Sequence, residues 1–398
     1  MEFNSDDDFD ELDCKIDNLE DLIKLGKEFE TNKKDIKIES PNISSNNLEK
    51  KKILEDEHKP KIINGILSND GTIKFFNHNI QPKIIKKEEH QSEKKIINNS
   101  YVINGKKYSI NLEILSKLVK PLTKLQSLIG LINIKNAIVE MILYYLQNFE
   151  TKNNNLLHTV IEGPPGAGKT EVGKILAEIY ANMGIIKSNK FKLVKRSDLI
   201  GEYVGHTAPK TQKIIDEADG GVLFIDEAYA LGNEEKRDSF SKECIDVINQ
   251  NLTENKRKFI CIIAGYPDEL DKCFFAYNAG LRRRFPFKFT IQDYTPEELK
   301  NIFIKKVNDI KWKLNKEEFD GKKLTEFFTQ NKDSFKYFGG DIDNLLLKCK
   351  FAHSKRIFGK HPRNRKNITR EDLKIGFENF IRNNKKNEVQ ESIARIYT

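Results

Sequence analysis

Apolar and polar positions are spread unevenly along the 398 residues. Up to about residue 112 the apolar positions are sparse. Two stretches there, "SNDGTIKFF" and "YVINGKKYSI", set Asp-Gly or Asn-Gly between alternating apolar residues, which favours tight hairpin turns. From Leu112 the apolar residues fall three and four apart, ending in "IKNAIVEMILYYLQNF", and the spacing predicts amphipathic helix. "HTVIEG" (158–163) reads as a short buried strand running into glycines. "TEVGKILAEIYANMG" returns to helical spacing and closes on Gly184. "FKLVKR", "GGVLFID" and "KFICIIAGY" follow as further strand-like runs. Such alternation predicts a parallel sheet with helices on its faces. After "FKFTI" the pattern is helical. "TPEELKNIFIKKVNDI" opens with Thr295 as N-cap, Pro296 at N1 and Glu298 at N3, a capping box. "GGDIDNLLLKCKFAHSKR" and "TREDLKIGFENFIRN" are two more amphipathic helices. With no β-rich run from Tyr294 onward, this part is expected to be a separate helical domain.

Composition sharpens the division. Hydrophobic residues make up 38% of the chain, below the roughly 45–50% of globular domains. The deficit falls on the first 112 residues, rich in Lys, Asn, Asp and Glu, with an acidic start ("SDDDFDELD") and a basic stretch ("KIIKKEEHQSEKK"). Such segments bury too little surface to offset ordering entropy, so this extension is expected to be largely disordered. The net charge of +8 comes from 68 basic residues interspersed with 60 acidic ones. That mixing argues against a single-sign face and against nucleic acid as the main partner. Cys14, Cys244, Cys261, Cys273 and Cys349 are scattered without a CxxC pair. Neither a zinc site nor a disulfide framework is indicated, which points to a reducing compartment. There is no signal-peptide pattern and no apolar run of the roughly 18–20 residues that span a bilayer. The expectation is a soluble, cytoplasmic protein with no membrane partner.

Two motifs carry chemistry. Gly163-Pro164-Pro165-Gly166-Ala167-Gly168-Lys169-Thr170 fits G-x-x-x-x-G-K-[ST] between a predicted strand and a predicted helix. The glycines let backbone N–H groups turn inward around phosphate oxygens, and the helix points its positive end at them. Lys169 is placed to reach the β- and γ-phosphates of a nucleotide, and the Thr170 hydroxyl to bind Mg²⁺. In "VLFIDE", Val222 to Ile225 form a buried strand whose C-terminal end presents Asp226 and Glu227, where α/β sheets bind ligands. Asp226 is expected to hold Mg²⁺ through water and Glu227 to polarise an attacking water. Two carboxylates can also serve as a helix N-cap, but behind a phosphate loop the catalytic reading prevails.

With "LIGL" (128–131), "YVGHTAPKT", "IIAGYPDEL" and "NAGLRRRFPF" added, the set of motifs resembles the AAA+ ATPases, more narrowly their CbbX/CfxQ-like and SpoVK-like branch, over residues 113 to 382. The resemblance implies a fold: a P-loop α/β nucleotide-binding domain at 113–292, a small all-helical lid at 293–384 and a tail at 385–398, after the low-complexity extension 1–112. It also implies roles. Gly130 and its neighbours line the adenine pocket. Gly265 and Tyr266 stand where the family usually has an Asn or Thr that senses the γ-phosphate. Arg284 is the arginine reaching into a neighbouring subunit, with Arg283 in place of the usual Ser, so either guanidinium can do this work; a solvated basic turn is the plainer alternative. Tyr203-Val204-Gly205 matches the aromatic-hydrophobic-glycine triplet that lines the pore of ring motors, against the plainer reading of a surface tyrosine. The implied activity is hydrolysis of Mg·ATP by a homo-oligomeric ring, a hexamer, that remodels a protein substrate. The alternative is a nucleotide-dependent loader or switch acting on nucleic-acid machinery.

Overall fold

The computed structural model describes residues 15–31, 66–67, 73–74, 101–103, 106–108, 110–147, 157–235, 237–254, 259–278, 280–315, 317–319, 321–362 and 365–396. The chain divides into two units, one of residues 14–31 with 112–398, the other of the remaining residues. In the latter, β1 (Ile66–Leu67) pairs antiparallel with β2 (Ile73–Lys74), and β3 (Tyr101–Ile103) with β4 (Lys106–Tyr108). These ladders flank the Asp-Gly and Asn-Gly pairs.

The larger unit begins inside the stretch expected to lack a core. α1 (Leu19–Thr31) is capped by Asn18, whose Oδ1 accepts the N–H groups of Glu20 and Asp21. Its Leu19, Leu22 and Ile23 are buried. Gly26 lies so close to α2 (Leu112–Ser127) that a Cβ there would stand 2.7 Å from Val119 Cγ2 and 3.1 Å from Leu115 O. α3 (Ile132–Leu146) follows. Segment 19–31 is therefore ordered by packing. Its apolar residues are too diluted by charge for composition to reveal them, although their spacing of three and four is helical.

The sheet has the order β6-β7-β8-β5-β9, all strands parallel: β5 (Thr159–Glu162), β6 (Phe191–Val194), β7 (Val222–Ile225), β8 (Ile260–Gly265) and β9 (Phe287–Thr290). α4 (Lys169–Asn182), α5 (Thr207–Glu217) and α6 (Ser239–Glu254) connect the strands. β5, β7 and β8 are buried along their whole length, as their unbroken apolar runs require. The expected α/β nucleotide fold is present.

The C-terminal part is built on α7 (Pro296–Asp309), α8 (Gly321–Gln330), α9 (Phe338–Ile357) and α10 (Arg370–Ile396). The Thr295 box forms as expected: its hydroxyl accepts the Glu298 N–H, and Glu298 accepts the Thr295 N–H. Phe303, Phe328, Phe335 and Phe380 fill the core, and Trp312 packs edge-on against His353 at 5.1 Å. Two features differ from the sequence reading. A two-residue parallel ladder joins β10 (Lys313–Leu314) to β11 (Asn367–Ile368), too short to leave a periodic signal. The helix α10 also runs through 385–396, the stretch read as a tail.

Candidate nucleotide site

β5 delivers the phosphate loop. Past its end, Gly163 N–H donates to Gly265 O at 3.2 Å, continuing the ladder to β8. The loop is pressed from two sides. A Cβ on Gly163 would lie 2.8 Å from Ile291 Cβ, and one on Gly166 (φ +69°) 2.2 Å from Tyr337 O at the start of α9. Gly168, at φ +92°, has nothing within 4 Å of its Cβ position, so this side of the loop is open. The Lys169 Nζ folds back and donates to Gly163 O and Pro164 O, both at 2.8 Å. Burial holds the lysine's pKa below its ordinary value, outweighing the opposing pull of Asp226 and Glu227. Thr170 is half-buried in the first turn of α4.

β7 carries the two carboxylates out between β6 and β8. Asp226 N–H donates to Val194 O at 2.9 Å, fixing where the strand ends. Glu227 adopts a left-handed backbone conformation (φ 54°, ψ 45°), uncommon for a residue with a Cβ. Its exposed side chain lies 3.5 Å from Lys195 Nζ at the end of β6. A cavity of about 560 Å³ opens here, lined by Lys195, Arg196, Glu202, Lys210, Asp226 and Glu227. Its wall is braced: the Arg196 guanidinium donates to Ala230 O (2.7 Å), Ser241 Oγ (2.9 Å) and Asp238 Oδ2 (2.7 Å). Burial pushes the Asp238 carboxyl up, but hydrogen bonds from Ser241 and Arg196 outweigh it and bring the carboxyl to about 2.

A second cavity of about 200 Å³ borders the phosphate loop, lined by Leu128, Leu131, Gly166, Glu171, Tyr294 and Ile302 among others. Gly130 (φ +67°) lies between two of the lining residues, Ile129 and Leu131, and a Cβ there would meet Glu298 Oε1 at 2.4 Å. The Tyr294 hydroxyl donates to Ala167 O at 3.0 Å. The helical part thus touches the phosphate loop through Tyr294 and Tyr337. The sequence reading missed both tyrosines, and Lys195 as well, because nothing local in the sequence marks a contact made across such separations.

Residues 159–291, from β5 to just past β9, match the family described as ATPases associated with various cellular activities (AAA). The chain is 51% identical over 278 residues to a cfxQ-like protein of Acanthamoeba polyphaga mimivirus, covering 70% of this chain and 68% of that protein. It is 33% identical over 295 residues to the CfxQ homolog of Galdieria sulphuraria, covering 72% and 92%. The chain belongs to the CfxQ-like AAA ATPases. It binds and hydrolyses ATP. A further relative, 33% identical over 256 residues, is named ribulose bisphosphate carboxylase/oxygenase activase, chloroplastic, of Cyanidioschyzon merolae, with 62% of this chain and 85% of that one covered.

Two more groups of this AAA ATPase lie outside the phosphate cradle. Tyr203 and Val204 are 66% and 88% exposed, with Tyr203 edge-on to His206 at 5.5 Å. The loop that carries them is pinned at its base. Gly201 N–H donates to Thr207 Oγ1, and Lys210 Nζ donates to Ser197 O and Ile200 O. The three arginines form a single turn (Arg282–Arg284). Arg282 is engaged by Asp271 and lies 4.7 Å from the Phe275 ring centroid. Arg284 is half-buried, whereas Arg283 is exposed and has no ionic partner among the described residues. No helix among the described residues is long and apolar enough to cross a membrane.

Proposed function

We propose that this ATPase assembles as a six-membered ring and remodels a protein by gripping it with Tyr203, Val204 and Gly205 in a central pore. One observation carries the reading: two adjacent apolar side chains stand in water on a loop whose base is pinned by hydrogen bonds. Single exposed apolar residues are ordinary, but a neighbouring pair held out on a fixed stem offers contact to a passing chain without reading its sequence. The relative named as an activase of an enzyme supports a protein as the target.

In this reading Lys169 leaves the Gly163 and Pro164 carbonyls for the β- and γ-phosphates, and the cradle 163–170 wraps them with backbone N–H groups. Glu227 orients the attacking water, and Arg284 or Arg283 reaches the γ-phosphate of a neighbouring subunit. Among the described residues no group of three or more His, Cys, Asp or Glu gathers to hold an ion alone. One carboxylate and one hydroxyl suit Mg²⁺, which completes its shell with water and substrate phosphates. Asp226 and Thr170 would hold it, and it would neutralise phosphate charge. The base goes to the cavity beside Gly130.

The test uses Tyr203→Ala and Tyr203→Phe, with proteins captured by an ATP-locked Glu227→Gln trap as candidate substrates. Tyr203→Ala is expected to lose both remodelling and the substrate-driven rise in ATP turnover, and Tyr203→Phe to keep them. Unaltered remodelling by Tyr203→Ala, or stimulation of turnover by DNA or RNA in place of a protein, overturns the reading.

A further inference from the structure

Neither the phosphate-loop motif nor the carboxylate pair gives a task to the aromatic residue that follows β8. Tyr266 continues the strand in an extended conformation (φ −86°, ψ 141°). Its ring stacks on Tyr229, in the turn after Glu227, with centroids 5.1 Å apart and planes at 21°. Lys169 Nζ stands 5.1 Å from the centroid of the same Tyr266 ring. The pair is tightly seated: a Cβ on Gly265 would lie 2.9 Å from both Tyr229 Cδ1 and Leu270 Cδ2. Three segments that border the site therefore meet at one ring: the start of α4, the turn after β7 and the end of β8.

The Lys169 ammonium has competing attractions. Two carbonyls of the phosphate loop hold it at 2.8 Å, while the Asp226 and Glu227 carboxylates come just before Tyr229, whose ring stacks on the same Tyr266. An ammonium that moved to those carboxylates would have to be pulled away before phosphate could bind. An aromatic face attracts a cation electrostatically without fixing its direction, so the ammonium can turn from the loop carbonyls to phosphate oxygens while staying over the ring.

We propose that Tyr266 is a positioning residue whose ring keeps the Lys169 ammonium at the phosphate cradle and away from the Asp226 and Glu227 carboxylates while the site awaits ATP. The proposal rests on the reading of Lys169 as the phosphate-binding lysine. The stack on Tyr229 fixes the ring, so the ammonium meets a surface that is already in place.

The test varies the electron density of the ring at nearly constant size. Full-length protein carrying Tyr266→Phe, Tyr266→Leu, or a mono-, di- or trifluorinated phenylalanine at this position is titrated with a fluorescent ATP analogue, and each variant's melting temperature is recorded. Tyr266→Phe is expected to bind close to wild type. Affinity should fall stepwise with each added fluorine while the melting temperature stays level, and Tyr266→Leu should lose about 2- to 30-fold, the span of a cation–π contact. Equal affinity across the fluorinated series overturns the proposal, as does a Tyr266→Phe variant as weak as Tyr266→Leu, which would assign the effect to the hydroxyl. Lys169→Ala separates the two layers. If it loses the analogue while the fluorinated series is flat, Tyr266 has no such role and the lysine's role stands. If it binds the analogue normally, both fall.

Discussion

His158 stands one residue before β5, buried between the rings of Phe259 and Phe285, each 5.9 Å away. Its Nδ1 accepts the Cys261 N–H at 2.9 Å, so the ring must be neutral with its proton on Nε2. Burial lowers its pKa from 6.5 to about 4. A base whose folded pKa is depressed takes its proton more readily when unfolded. Its contribution is therefore complete above pH 6.5, declines as the pH falls, and is gone near pH 4. Over that window the loss amounts to roughly 3 kcal/mol. Urea midpoints of wild type should fall between pH 6.5 and 4 more steeply than those of His158→Phe. At pH 7.5 that variant should be less stable by about 1–3 kcal/mol, because the Cys261 N–H loses its acceptor. Parallel pH profiles would remove His158 as the cause. Phe285 also closes the arginine turn, where the competing guanidiniums differ in surroundings: Arg284 is half-buried and Arg283 projects into water. Removing an arginine supplied in trans typically costs about 10³–10⁵-fold in turnover. Arg284→Ala is expected to bind ATP and turn over poorly, with Arg283→Ala milder. The reverse order would transfer the role to Arg283.

At the scale of elements, α1 packs on α2 and the helical part meets the phosphate loop through Tyr294 and Tyr337. Leu22 is fully buried in the α1 packing, so Leu22→Ala should cost about 2–5 kcal/mol, read as a shift in chemical unfolding. No shift would mean that α1 is dispensable. Tyr294→Phe deletes the hydroxyl bonded to Ala167 O. It should weaken ATP binding a few-fold and lower stability by about 1 kcal/mol, whereas unchanged ATP affinity would detach that contact from the site. These elements also mark how far the sequence could be read. The phosphate loop and the Asp226-Glu227 strand were legible because each is a contiguous pattern whose chemistry depends on neighbours in sequence. The α1 helix was not, since Leu19, Leu22 and Ile23 sit among charged residues and depend on α2 for burial. The Tyr294 contact bridges 127 residues and Lys195–Glu227 bridges 32. Such pairings belong to the folded arrangement, and no local periodicity encodes them.

For the whole molecule, the proposed ring, with each active site completed by a neighbour, would make turnover a property of the assembly. ATPase rate should climb faster than linearly with protein concentration until rings form. Mixing Arg284→Ala with Lys169→Ala should restore part of the activity, because some interfaces then pair an intact phosphate loop with an intact arginine. A rate strictly proportional to concentration, with no rescue on mixing, would make each subunit self-sufficient. The strand order carries a further consequence for how the chain is made. β5 is first in sequence among the five strands, yet it lies between β8 and β9, the last two. The acceptor on His158 waits for a donor 103 residues later in the chain. At about 5–20 residues per second, the strand that ends in the phosphate loop emerges from the ribosome on the order of 5–20 s before its flanking strands exist. During that interval β5 is an apolar segment with both edges bare, the kind of intermediate that chaperones shield. A nascent chain halted before β8 is complete should bind no ATP, although its whole phosphate-loop motif has been synthesised.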